Sequence, residues 1–271
     1  MSDTGRAPRS LDEVGAGEWN ELASRRVFFG HQSVGENIMD GVRTLLGEHP
    51  EIPLRVVTSD TPERVDGPAL VEARIGENRR PETKSEAFRE ILDRGFGDEG
   101  GDIALYKYCY VDVLPETDAE ALFESYARDA EFVRRRYPEL TIAHVTVPLT
   151  TAPTGLWERL KTSLGVKTAT RLNFERERFN DLLRERYGAL EPIFDLALVE
   201  SVRADGSRAT SRFRGRQVPM LAPERTCDGG HLDEDARVRV AERFLVFLAD
   251  MASRDARGSD AVEPPAAANR S

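Results

Sequence analysis

Residues 27–36 read Val27-Phe28-Phe29-Gly30-His31-Gln32-Ser33-Val34-Gly35-Glu36. Three apolar residues run into Gly30. Past Gly35 the pattern changes, and Ile38, Val42, Leu45 and Leu46 recur at helical spacing with polar residues between them. The stretch predicts a strand, a tight turn and a helix, with Ser33 in the turn where the helix begins. The N–H groups that open a helix lack carbonyl partners and stabilise negative charge. A serine so placed can attack a carbonyl while adjacent N–H groups hold the resulting oxyanion. It can also be an N-cap, a position serine often fills. On this stretch alone the cap is the commoner reading.

Outward from here, strands and helices alternate. Val27–Phe29 is the first strand, and the helix after Ser33 reaches about Gly47. Leu54–Val57 reads as a short second strand, and Ser59–Arg80, with Pro and Gly but little periodicity, as a loop. There follow a helix over Lys84–Leu92, a long strand over Ile103–Val113, and a helix over Asp118–Tyr137 with Thr117 and Glu120 as a capping box. Thr141–Val147 is a strand, Arg171–Tyr187 a helix and Ile193–Val199 a strand. Asp205-Gly206 is a turn signal able to join two short strands, and Asp233–Met251 is the last helix. This alternation predicts a three-layer α/β/α sandwich with a mostly parallel central sheet. Such sheets bind ligands beyond the carboxyl ends of their strands, where Ser33 falls. Residues 25–251 form the predicted single domain. Residues 1–24 are read as a disordered N-terminus with a short lead-in helix over Glu18–Ser24, and the patternless 252–271 as a disordered tail.

The bulk numbers narrow the function. In 271 residues, 39% are hydrophobic and 32% charged, which suits a globular chain with a highly charged surface. A formal net charge of −10 opposes nucleic-acid or anionic-membrane partners. No apolar run has membrane-spanning length, and Met1–Arg9 has no signal-peptide core, so a cytoplasmic location is expected. Cys109 and Cys227 make no disulfide framework and lack partners at zinc-ligand spacing, so no metal is expected. Both are read as buried reduced thiols.

A second stretch, Thr226-Cys227-Asp228-Gly229-Gly230-His231-Leu232, precedes the last helix. A serine hydroxyl needs a base to act as a nucleophile at neutral pH. A histidine supplies one, and a carboxylate on its other ring nitrogen fixes the tautomer. Asp228 and His231, separated by two glycines, can meet in that way. Asp-x-x-His alone is a weak signal. Together with a serine at the end of the first strand it is far less a matter of chance.

This order, strand–Ser–helix near the start and Asp-x-x-His before the terminal helix, resembles the SGNH (GDSL-like) hydrolase superfamily. Gly101-Asp102-Ile103-Ala104-Leu105 resembles the family's central strand. Asn180-Asp181-Leu182-Leu183 followed by Ile193-Phe194-Asp195-Leu196-Ala197 resembles its later helix and Asp-bearing strand. The phrases Phe29-Gly30-His31-Gln32-Ser33-Val34-Gly35, Lys107-Tyr108-Cys109-Tyr110-Val111-Asp112 and Asp228-Gly229-Gly230-His231-Leu232 are similar to a bacterial branch with a Gly-His-Gln-Ser nucleophile motif. The resemblance covers roughly Arg25 to Ala249. It implies Ser33 as nucleophile, His231 as general base and Asp228 as the orienting acid. It also implies an oxyanion hole of the Ser33 N–H, a glycine N–H assigned to Gly76, and an asparagine amide. The family's Gly-x-Asn-Asp would fall on Cys109-Tyr110-Val111-Asp112, which holds no asparagine, so Asn78 is the candidate replacement. The family's Gly-Asp-Ser has become Gly30-His31-Gln32-Ser33, one residue longer.

The implied activity is a cofactor-free esterase working through an acyl-enzyme on a small-molecule or carbohydrate ester, an acetylated sugar for example. An O-acyltransferase with the same triad and a non-catalytic binding protein on this fold are the alternatives. His31, two residues from Ser33, is a candidate alternative base or substrate contact, or else a turn residue held by hydrogen bonds. Lys107, inside an apolar stretch, needs a carboxylate partner or must reach solvent. Asp112 at the strand end is read as paired or capping. Tyr106, Tyr108, Tyr110 and Trp157 either line a cleft or, more commonly, pack in the core.

Overall fold

The computed structural model describes residues 9–98, 100–152 and 169–259. Its first strand, β1 (Arg26–His31), is buried along its whole length. That suits the apolar run Val27-Phe28-Phe29, because a parallel strand covered on both faces needs no polar alternation. Phe29 points to one side and meets Phe244, with ring centroids 5.0 Å apart; Phe28 points to the other and stacks on Phe88.

β1 lies inside a six-stranded sheet of order β2-β3-β1-β4-β5-β6, with every pairing parallel. The other strands are β2 (Val56–Thr58), β3 (Ala69–Arg74), β4 (Ile103–Tyr106), β5 (Thr141–Val145) and β6 (Ile193–Phe194). From β1 the chain goes first to the edge strand β2 and returns to β3, which pairs with β1 on that side. It then crosses to the other side at β4. The crevice between the ends of β1 and β4 is thus a topological switch point.

One face of the sheet carries α1 (Ala16–Ala23), α2 (Ser33–Glu48) and the last helix, α7 (Glu234–Ser259). The other carries α3 (Pro81–Ile91), α4 (Ala119–Arg136) and α5 (Ala169–Tyr187). This is the three-layer sandwich predicted from the sequence. A short helix α6 (Leu196–Ser201) and an antiparallel hairpin, β7 (Thr210–Phe213) with β8 (Arg216–Pro219), complete it. Helices α2 and α7 approach closely at Gly41, where a Cβ would stand 2.2 Å from the Arg237 carbonyl oxygen. Among the described residues no helix is long and apolar enough to cross a membrane.

Several expected elements differ. The segment read as a loop contains β3, which pairs with β1 over six residues. Its apolar pattern is broken by Glu72, a buried carboxylate that contacts His31, Arg43 and Thr58. The long strand expected to Val113 stops at Tyr106. Asp112 accepts the Cys109 N–H at 2.6 Å and closes a tight turn over Tyr110–Asp112. The strand expected to Val199 is two residues long, because Asp195 accepts from the Leu198 N–H and starts α6.

Asp118, not Thr117 with Glu120, caps α4, and the Thr117 hydroxyl accepts the Leu114 N–H instead. Asp205-Gly206 closes only the isolated Val202–Arg208 bridge, and the hairpin turns at Arg214-Gly215, both at positive φ. The lead-in is structured from Ser10 onward, with Leu11 and Trp19 buried against the α7 face, and α7 runs past Met251 to Ser259. Residues 1–8 and 260–271 lie outside the described residues.

Candidate active site

Ser33 is the first residue of α2, and Gln32 occupies the cap position. The serine is therefore not an N-cap. Its Oγ lies 3.0 Å from His231 Nε2. The other ring nitrogen, Nδ1, lies 2.6 Å from Asp228 Oδ2. The remaining Asp228 oxygen accepts the N–H groups of Gly230 at 2.9 Å and His231 at 2.8 Å. Slight burial raises the Asp228 carboxyl, but the His231 ring and these two N–H donors outweigh it and hold it far below the usual carboxylate range. The two glycines permit the loop. Gly229 has φ +91, and a Cβ on Gly230 would press on the Tyr110 ring at 2.9 Å. The structure thus brings Ser33, His231 and Asp228 together in one chain of hydrogen bonds.

The loop after β3 stands beside this chain. Gly76 has φ +59, and a Cβ there would lie 2.6 Å from the Lys84 backbone nitrogen, so only glycine fits. The Gln32 amide donates to the carbonyls of Ile75 at 2.9 Å and Gly76 at 2.8 Å, tying the serine turn to the glycine turn. Among the described residues no acceptor meets the Gly76 N–H. Asn78 is exposed, and its Oδ1 accepts from Lys84 Nζ at 3.3 Å. A cationic donor on that oxygen assigns it as the accepting end of the amide, with Nδ2 as the donor end. Lys84 is itself buried and pairs with Asp112, which also accepts the Arg79 N–H at 2.8 Å. Asp112 is thus paired, as expected, and secures the loop that carries Asn78.

His31 does not join the site. It is buried, with Nε2 on Glu72 and Nδ1 facing the Gln32 carbonyl oxygen at 3.1 Å. It is held by hydrogen bonds, as the second reading has it, but at the end of β1 and not in the turn, and its buried ring presents no face to a substrate. Burial alone would raise Glu72, yet hydrogen bonds from His31, Thr58 and Arg43 hold it down at about 2.

Tyr106 and Tyr108 are core residues that share the Ser85 hydroxyl, whereas Tyr110 reaches the site and meets the His231 ring edge-on at 5.8 Å. Trp157 lies outside the described residues. Cys109 is buried but Cys227 is exposed, because its loop runs along the surface. Lys107 is buried with no carboxylate within ion-pair distance among the described residues; its Nζ faces the Tyr108 carbonyl at 3.4 Å and Cys109 Sγ at 3.7 Å. No three His, Cys, Asp or Glu side chains converge as a metal-binding group among the described residues.

Four contributors escape sequence reading. Gln32 is the strut just described, and Lys84 orients Asn78. Asn37, buried one turn on from Ser33, accepts the Leu232 N–H at 3.1 Å and fixes the histidine loop to α2. Arg176, on α5, donates to the Tyr110 carbonyl. A helix read by periodicity signals none of these. The faint signal for Asn37 is a polar residue on the apolar face of α2.

Neither a protein-family model nor a curated protein sequence matches the chain. Solved structures do match in shape. A candidate acylhydrolase from Bacteroides fragilis is similar with a TM-score of 0.53 at 13% identity, over 93% of this chain and all of that one (100%). A GDSL-like lipase from Bacteroides thetaiotaomicron gives 0.49 at 13% identity, over 84% of this chain and 89% of that one. A family 3 carbohydrate esterase from Talaromyces cellulolyticus gives 0.47 at 11% identity, over 84% and 97%. At such identities the first likeness is one of fold, and it extends over nearly the whole chain.

Proposed function

We propose that this protein is a serine esterase that cleaves a carboxylic ester by way of an acyl-enzyme. One observation carries the reading: the unbroken hydrogen-bond chain from Ser33 Oγ through the His231 ring to Asp228. Ser33 Oγ attacks the ester carbonyl carbon while its proton passes to His231 Nε2. Asp228 keeps the Nδ1 proton in place and stabilises the imidazolium. The oxyanion is met by the N–H groups of Ser33 and Gly76 and by the Asn78 amide. The intermediate collapses, and the alcohol leaves with the proton held by His231. Water then attacks the acyl group, His231 takes its proton, and the carboxylic acid departs as Ser33 recovers its hydrogen. The substrate on this reading is a small-molecule or carbohydrate ester. The shared fold with the B. fragilis protein supports the reading without fixing the substrate.

The test is labelling with a fluorophosphonate, read by intact mass. The expected result is one adduct on Ser33 that both Ser33→Ala and His231→Ala abolish. A wild-type protein that stays unmodified beside a labelled control hydrolase overturns the proposal.

A further inference from the structure

Arg176 is an anomaly next to this chemistry. Only 2% of it is exposed, yet no carboxylate lies within ion-pair distance of it among the described residues. Its Nε donates to the Tyr110 carbonyl at 2.9 Å; its Nη1 donates to the Thr150 hydroxyl at 2.9 Å and to Asn173 Oδ1 at 2.6 Å. All three acceptors are neutral. Nη2 has no acceptor among the described residues. Holding two loops to a helix requires N–H donors but not a charge. Burying a cation without a counter-ion is strongly unfavourable relative to burying a neutral donor, so the fold alone does not explain the arginine.

Its neighbours deepen the anomaly. Glu200 is fully buried; one of its oxygens accepts the Leu149 N–H at 2.8 Å and the other has no partner. Burial pushes this carboxyl up to about 8, against the Leu149 N–H and the cations Lys107, Arg176 and Arg225, so it is mostly uncharged at neutral pH. Lys107 has no carboxylate partner either. The ground beneath the site thus holds two basic side chains, Arg176 and Lys107, with no carboxylate at ion-pair distance among the described residues, in a chain whose net charge is −10.

This ground is one ring away from the catalytic base. The Arg176 guanidinium carbon stands 5.5 Å from the Tyr110 ring centroid, and the same ring meets His231. The next residue after Thr150, Thr151, donates its N–H to the Gly229 carbonyl at 2.9 Å, so the Arg176 clamp and the Asp228–His231 loop share a wall. We infer that Arg176 anchors an acidic group on the substrate, so that the ester this site takes carries a carboxylate or similar oxyanion beyond the scissile bond. This rests on the esterase reading above and adds the class of substrate. A guanidinium offers a planar fork that matches such a group. The negative surface gives no long-range attraction to an anion, so selection is local, at the arginine.

The experiment compares pairs of esters that differ in one charge. On the alcohol side the pair is 4-acetoxybenzoate and its methyl ester. On the acyl side it is 4-nitrophenyl hemisuccinate and 4-nitrophenyl butyrate. Each kcat/KM is divided by the ester's rate with hydroxide. In one pair the wild type should favour the anion by about 10- to 100-fold, the scale of a hydrogen bond to a charged group. Arg176→Met should erase that preference chiefly through KM, and Arg176→Lys should retain part of it. Absence of preference in both pairs for the wild type overturns the inference without recourse to any variant. So does an Arg176→Met protein that loses both members of the favoured pair alike, since a purely structural clamp predicts that. Fluorophosphonate labelling of the same wild-type sample separates the failures. Labelled Ser33 without charge preference sinks only this inference, whereas unlabelled Ser33 sinks the esterase reading.

Discussion

Replacing Lys84 by Met tests how the Asn78 amide is held. Both side chains of the Lys84–Asp112 pair are inaccessible to solvent. Removing the lysine leaves the Asp112 carboxylate buried, facing only the N–H groups of Cys109 and Arg79. Breaking a buried pair in this way costs about 3–5 kcal/mol. For a domain of this size each kcal/mol lowers Tm by about 2–4 °C, so the expected fall is about 6–20 °C. Asn78 also loses the donor that orients it, and on the esterase reading, in which its amide meets the oxyanion, loss of one oxyanion donor lowers kcat by about 100- to 1000-fold. The two effects separate in Lys84→Met/Asp112→Asn, where the stranded charge is gone. Stability should recover by about 2 kcal/mol or more, since a neutral buried amide is far less costly than a buried charge. The kcat should stay low, because nothing then grips Asn78 Oδ1. Thermal melts and ester turnover on the three proteins decide the matter. A single variant melting within about 2 °C of wild type, or a double variant with restored kcat, would refute the reasoning.

Asp228→Asn should lower kcat by about 10⁴-fold by reversing the His231 tautomer; its Tm should barely move, because the side-chain oxygen keeps the Gly230 and His231 N–H bonds. An appreciable loss of stability on this substitution would count against the assignment. For Glu200 the folded value, about 8, lies above the ordinary 4.5. Between these values the folded protein holds a proton that the unfolded chain has released, so stability falls as pH rises from about 4.5 to 8. Urea midpoints across that window should slope downward in the wild type and flatten in Glu200→Gln; equal slopes would contradict the buried neutral carboxyl. Gly41→Ala forces a methyl against the Arg237 carbonyl oxygen, with an expected loss of about 1–3 kcal/mol. Because α2 opens at Ser33 and α7 opens just past His231, labelling of Ser33 should slow as well, and an unchanged labelling rate would show that the helix crossing does not set the Ser33–His231 distance.

The sandwich was legible because its strongest signals are periodic. The apolar run at Val27–Phe29 and the helical faces of α2 and α4 are dictated by burial alone. Strand β3 was hidden because Glu72 interrupts its apolar pattern, and only the tertiary partners His31, Arg43 and Thr58 make a carboxylate tolerable there. The ends of β4 and β6 were misread for a related reason. Asp112 and Asp195 redirect the backbone through their own carboxylates, which an apolar count passes over. In the site, Ser33, Asp228 and His231 could be picked out because their chemistry dictates residue type. His31 was misplaced because nearness in sequence to Ser33 does not fix the direction of its ring, which β1 turns inward. Gln32, Asn37 and Lys84 act through individual side-chain hydrogen bonds, for which one sequence holds no pattern.

The division of labour between the two helical layers bears on how such a protein can diversify. Ser33 and the Asp228–His231 loop are set by the packing of α2 on α7, on one side of the sheet. Arg176 and the Thr150–Tyr110 wall belong to α5 and to the segments after β5 and β4, on the other side. On the esterase reading, changes on α5 that spare Tyr110 and Thr151, which touch the Asp228–His231 loop, would retune what is admitted while the first group keeps its geometry. Recognition and reactivity would then be separately heritable, and a library confined to α5 would explore new substrates with the Ser33–His231–Asp228 geometry held constant.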